Sequence, residues 1–229
     1  HAFDTDVNSI KKLEHIGKHV TQTSTRRSVG EYLHQYPTLS KWFPDHPELL
    51  KKTMTEGAGQ VRAVSRLAFM SSIAEGKLNQ ILEDIEEIFP VHSGAYEQGV
   101  RVIIISSLAG GTGSGIFLQV ALYLRKIRQE RFGERVLIRG AFMMPDVLTR
   151  TNVLDQTEWD SVRANGYACL KELEAITQSV QNKDEDGVTI ELEYRPNQVD
   201  INNRMDHAIT EKPFNFAFLY DYENTRGQH

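Results

Sequence analysis

The segment Gly110-Gly111-Thr112-Gly113-Ser114-Gly115 packs four glycines and two hydroxyl side chains into six residues. It follows the β-branched run Arg101-Val102-Ile103-Ile104-Ile105-Ser106-Ser107-Leu108. It precedes a run in which Ile116, Phe117, Val120, Ala121, Leu124 and Ile127 recur at helical spacing. A glycine turn between a strand and a helix gathers backbone N–H groups and the positive end of the helix at one point, which is what a phosphate needs. Glycine lets the backbone approach an anion closely and adopt positive φ, and Thr112 and Ser114 add hydroxyl donors. An unliganded tight turn can have the same composition. The density of glycines and hydroxyls directly after a buried strand favours phosphate. Ala109 through Gly115 is therefore the first candidate site.

Spacing excludes two familiar forms of phosphate loop. Gly110 and Gly115 have the separation of the first and last glycines of a Walker loop, but Ile116 and Phe117 stand where lysine and hydroxyl belong. No glycine in 110–115 has partners at both offsets of the dinucleotide-binding fingerprint. Other chemistry is sparse. Asp4 and Asp6 are candidates to approach a phosphate-bound Mg²⁺, since carboxylate oxygens suit a hard cation, while Asp6 could equally cap a helix. Asp146, and with it Pro145, follows a strand where an acid can meet a ribose or phosphate or merely cap a helix. His15 and His19 share a helical face without a third metal ligand nearby in sequence. Cys169, among Tyr167, Ala168 and Leu170, reads as a small buried side chain rather than a nucleophile.

These residues need a frame, and the pattern predicts an α/β one. His1-Ala2-Phe3-Asp4-Thr5-Asp6 looks like the last step of a strand that starts upstream, followed by a helix through Ile10, Leu13, Ile16, Gly17 and Val20. Residues 21–52, broken by Pro37, Pro44 and Pro47, read as an insertion of short helices. Its aromatics Tyr32, Tyr36, Trp42 and Phe43 are expected in a satellite core. Helix resumes from Val61 to Ile88, as one long or two consecutive elements. The run at 101–108 is expected to be central in a parallel sheet, covered on both faces. The following helix ends near Gly133 and a second strand covers 136–144, giving a βαβ unit. A helix over 155–176, a strand at 188–194 and a last strand at 214–220 complete the reading.

Composition sets limits on the whole. With 229 residues, 40% apolar and 25% charged, the chain can form one substantial core. A formal charge of −5 gives no global attraction to nucleic acid or anionic membrane. One cysteine forms no internal disulfide, and the run Val102–Ala109 is far short of the roughly 18 residues that span a bilayer. With no signal peptide visible, a cytoplasmic protein is expected.

The loop Gly110–Gly115 closely resembles the Gly-Gly-Thr-Gly-Ser/Thr-Gly signature of the tubulin/FtsZ superfamily, with Ala109 where another glycine is usual. Three more segments fall in the order that family implies. Phe3-Asp4-Thr5-Asp6 resembles the Asn-Thr-Asp turn of FtsZ that faces the nucleotide. Thr55-Glu56-Gly57-Ala58-Gly59-Gln60 resembles the loop near the γ-phosphate. Phe218-Leu219-Tyr220-Asp221-Tyr222-Glu223-Asn224 resembles the strand and turn whose asparagine reads guanine. Within the superfamily the chain is most similar to divergent bacterial tubulin-like proteins.

The resemblance implies a Rossmann-like parallel sheet sandwiched by helices over residues 1–229, incomplete at both ends, binding GTP or GDP with Mg²⁺. It assigns Asp4, Thr5, Asp6, Gly57, Ala58, Gly59, Gln60, Ala109, Gly110, Gly111, Thr112, Gly113, Ser114, Gly115, Pro145, Asp146, Arg163, Asn165 and Asn224 to the nucleotide, with Asp4 and Asp6 toward the metal. It also implies head-to-tail self-association, with hydrolysis completed by acids of a neighbouring subunit on a second domain. The alternatives are a nucleotide-dependent scaffold that barely hydrolyses, and an enzyme using the loop for another phosphorylated ligand.

Overall fold

The structure is a computed structural model, and it describes residues 2–4, 20–23, 27–53, 57–88, 100–132, 136–151, 154–181 and 211–223. Two strands near the start, β1 (Ala2–Asp4) and β2 (Val20–Gln22), pair in parallel. Val20, expected at the end of a helix, thus opens a strand. The rest of that expected helix lies outside the described residues, as does the strand expected at 188–194.

Short helices follow: α1 (Val29–Gln35), a 3-10 turn at Pro37–Lys41 and α2 (Pro47–Lys51). Ser28 caps α1 in a reciprocal capping box with Glu31, and prolines open the next two pieces at a position where their missing N–H costs nothing. Tyr32, Tyr36, Leu39 and Phe43 bury themselves against Val64 and Leu67 of α3 (Arg62–Ala74), the satellite core anticipated for the aromatics. Gly76, at φ 72°, turns the chain from α3 into α4 (Asn79–Ile88), so the helical stretch is two elements.

The main sheet holds β3 (Val100–Ser107), β4 (Val136–Met143) and β5 (Phe216–Tyr220), all parallel in the order β3-β4-β5. Between its strands lie α5 (Gly111–Phe132), the short α6 (Pro145–Arg150), a 3-10 turn at Gln156–Glu158 and α7 (Trp159–Gln181). The α/β class, with a parallel sheet flanked by helices, is as the sequence implied. Phe117 of α5, Phe142 of β4 and Phe214 form a three-ring cluster, with centroids 5.0 to 6.2 Å apart, that glues α5 to the sheet. Arg125 of α5 ties down the approach to β5, donating to Pro213 O at 3.1 Å, Asn215 Oδ1 at 2.8 Å and Glu211 at 2.9 Å. No helix among the described residues is long and apolar enough to cross a membrane.

One expectation is corrected. Among the described residues β3 is an edge of the three-stranded sheet rather than its centre, and it alternates: Ile104 packs toward α5, whereas Ile103 is 62% and Ile105 80% exposed. A continuous apolar run cannot by itself distinguish a strand covered on two faces from one covered on a single face, because the pattern records apolarity and not the neighbours.

Candidate functional site

The glycine segment leaves the C-terminal end of β3, the edge of a parallel sheet where ligands of α/β proteins gather. Leu108 and Ala109 are fully buried. Leu108 N donates to Met143 O at 3.0 Å, and Ala109 N to Ser107 Oγ at 3.2 Å. α5 starts at Gly111, so the loop proper is only Leu108–Gly110 and the remaining glycines are the first turn of the helix.

Those glycines serve packing. A β-carbon on Gly115 would lie 2.5 Å from Arg62 O and 2.9 Å from Ser65 Cβ, and one on Gly113 would lie 2.5 Å from Ser107 O. On Gly111 it would crowd Ala58 Cβ and the Gln60 backbone at 3.0 Å, whereas on Gly110 it would meet nothing within 4 Å. Positive φ, anticipated for this loop, belongs instead to Gly57, Gly59 and Gln60 at 84°, 54° and 64°. The helical start at Gly111 explains the difference, since helical φ is negative. Ser114 is buried, and its hydroxyl donates back to Gly110 O, the habit of a serine in a helix.

Gly111 is thus the contact between this turn and the second glycine loop, 57–60. A single stripe of α7 ties the two together. Asn165 Nδ2 donates to Gln60 O at 3.1 Å and to Ala109 O at 3.0 Å. One helical turn on, the Cys169 thiol reaches Ser114 O at 3.4 Å. At Glu172, Arg62 is held by its carboxylate while donating to Ser114 O at 3.3 and 3.2 Å. Burial opposes the Arg62 charge, yet Glu172 and Cys169 together more than offset it, so the guanidinium pKa is raised. Burial pushes the Cys169 thiol up to about 12, leaving it neutral and inert. Gln60 Oε1 is buried with no hydrogen-bond partner in the structure.

Beside the turn, a cavity of about 690 Å³ runs along β3. Gly110, Gly111, Thr112 and Gly113 line one end, and Phe3, Phe69 and Ile104 are among its apolar walls. Across the same sheet edge, Pro145 opens α6 and packs under Gly166, where any β-carbon would collide with its ring. Asp146 forms ion pairs with Arg150 at 3.5 Å and Arg163 at 3.6 Å, and Arg163 lies over the Trp159 ring at 5.5 Å. The two residues singled out separately are therefore paired with each other. Asp4 ends β1; Thr5, Asp6 and Asn224 lie outside the described residues. No group of three or more His, Cys, Asp or Glu among the described residues could hold a metal.

Sequence reasoning missed Arg62, Glu172 and Lys52. The first two sit at ordinary helix positions, and only the crossing of α3, α5 and α7 brings them together.

A parallel sheet flanked by helices, with a glycine turn opening α5 and a second glycine loop packed against it, defines the class as α/β. Comparison narrows it further, since residues 2–229 match the family model described as Tubulin like, and the chain belongs to that family. Neither the curated proteins nor the solved structures yield a match.

Proposed function

We propose that the chain binds a guanine nucleotide, GTP or GDP with Mg²⁺, with its phosphates at the N-terminus of α5 and against the 57–60 loop. The observation that carries this reading is Gly110: the one glycine of the segment whose missing side chain opens onto empty space, at the end of a cavity large enough for a nucleotide and at the positive pole of a 22-residue helix. Membership of the tubulin-like family supports guanine as the base and head-to-tail self-association in the cytoplasm as the setting. Asp4 and Asp6 are the carboxylates proposed for the Mg²⁺, Asn224 for the base, and Asp146 with Arg163 for the ribose side. Asn165, whose amide is already committed to two carbonyls, acts by holding the loops. Titration calorimetry with GTP, GDP, ATP and NAD in the presence of Mg²⁺ tests the proposal. Saturable binding of GTP and GDP with weaker binding of ATP and NAD is expected, and equal affinity for ATP and GTP would sink the guanine assignment.

A further inference from the structure

We propose that Lys52 supplies the positive charge that meets the terminal phosphate of a bound nucleoside triphosphate, an inference that rests on the nucleotide reading above. Lys52 follows α2, and its backbone is pinned: Val29 N donates to Lys52 O at 2.9 Å, and the neighbouring Thr53 bridges Ser28. From that anchored point the half-buried side chain reaches across the second glycine loop, and its ammonium donates to Ala58 O at 3.1 Å. Gly59, at φ 54°, leaves room for this approach, since a β-carbon there would collide with Lys52 Nζ as it now lies.

Three other lysines of the fold face carboxylates. Lys51 faces Glu48 at 3.9 Å, Lys77 faces Glu75 at 2.8 Å and Lys171 faces Glu174 at 2.7 Å. Lys52 differs from these three in that, among the described residues, its half-buried ammonium bonds to the backbone carbonyl of a glycine loop and to no carboxylate. A half-buried ammonium with only a neutral acceptor retains most of its capacity to attract an anion.

The position of that charge suggests the anion. Ala58 is the shared neighbour of two positive features. Its carbonyl takes the ammonium, while its methyl lies 3.0 Å from the β-carbon position of Gly111, the first residue of α5. A phosphate at the mouth of α5 and the Lys52 ammonium are therefore separated by little more than one residue of the 57–60 loop. A chain of phosphates, extending from the helix end toward Lys52, meets both; a single phosphate meets only the first. Lys52 would then discriminate nucleotides by phosphate number.

The test compares the wild-type chain with Lys52→Gln and Lys52→Arg by titration with GMP, GDP and a non-hydrolysable GTP analogue, all with Mg²⁺. Lys52→Gln is expected to weaken the triphosphate analogue by about tenfold or more, GDP by less and GMP not at all, with Lys52→Arg recovering most of the loss. A second readout needs no variant: in the wild-type protein, the triphosphate analogue should protect Lys52 from acetylation more than GMP does, while Lys51 and Lys171 react equally in both. Equal weakening of all three ligands, no weakening, or equal acetylation of Lys52 overturns its role and leaves the nucleotide site standing; a wild-type chain that binds none of the three overturns both.

Discussion

A methyl group added at Gly115 would press on the Arg62 carbonyl at 2.5 Å, whereas one added at Gly110 would enter open space. Gly115→Ala should therefore destabilise the fold by about 1–3 kcal/mol in urea unfolding, as overpacking does, and Gly110→Ala should stay within about 0.5 kcal/mol. Equal costs would mean that α3 and α5 are not locked at Gly115. Cys169 gives a second residue-level expectation. Burial raises its thiol from an ordinary value near 9 to about 12, so the folded state holds the proton more tightly than the unfolded chain. The associated stability is complete below pH 9 and is lost as pH rises toward 12, at up to about 1.4 kcal/mol per pH unit. Cys169→Ala should flatten the alkaline limb of the unfolding midpoint against pH, and an unchanged limb would refute the shift. At this scale the sequence revealed the glycines and the inert cysteine but not what each glycine faces, since that depends on Arg62 and Ser107 arriving from other elements.

α7 acts as a rack for two loops that are distant in sequence. Its Asn165 amide serves Gln60 O and Ala109 O together. Asn165→Leu keeps the shape and removes both donors, leaving two carbonyls without their partner; a cost of about 2–4 kcal/mol is expected. Hydrogen exchange should then speed up at 57–62 and 109–114 while the β4 amides stay protected, and uniform acceleration would mean that the residue supports the whole fold instead. Periodicity located α3, α4, α5, α7 and β4 because each buries one face or run against the sheet or a neighbouring helix; the apolar run at 214–220 located β5, although all five residues of that strand are exposed. It misplaced Val20, a single apolar residue compatible with either period. It also could not show that β3 lies at an edge among the described strands, because strand order is not written in apolarity.

For the whole molecule, family membership and the site lead to a separation of binding from turnover. The superfamily resemblance implies hydrolytic acids on a neighbouring subunit, while in the proposed site Gly110–Gly113 and the first amides of α5 are the groups that would hold phosphates. This 229-residue chain should bind GTP without appreciable turnover and without activation by raised concentration. Hydrolysis at high dilution, at a rate per molecule independent of concentration, would mean that the catalytic acids lie within the chain itself. The central claim, that a nucleotide occupies the space in front of Gly110, is tested most directly by calorimetric titration of GTP into the wild-type chain and Gly110→Val, with circular dichroism and urea unfolding to show that both are folded. Saturable binding by the wild type, and its loss in a variant of near-normal stability, are expected. A folded Gly110→Val chain that binds GTP with unchanged affinity would contradict it.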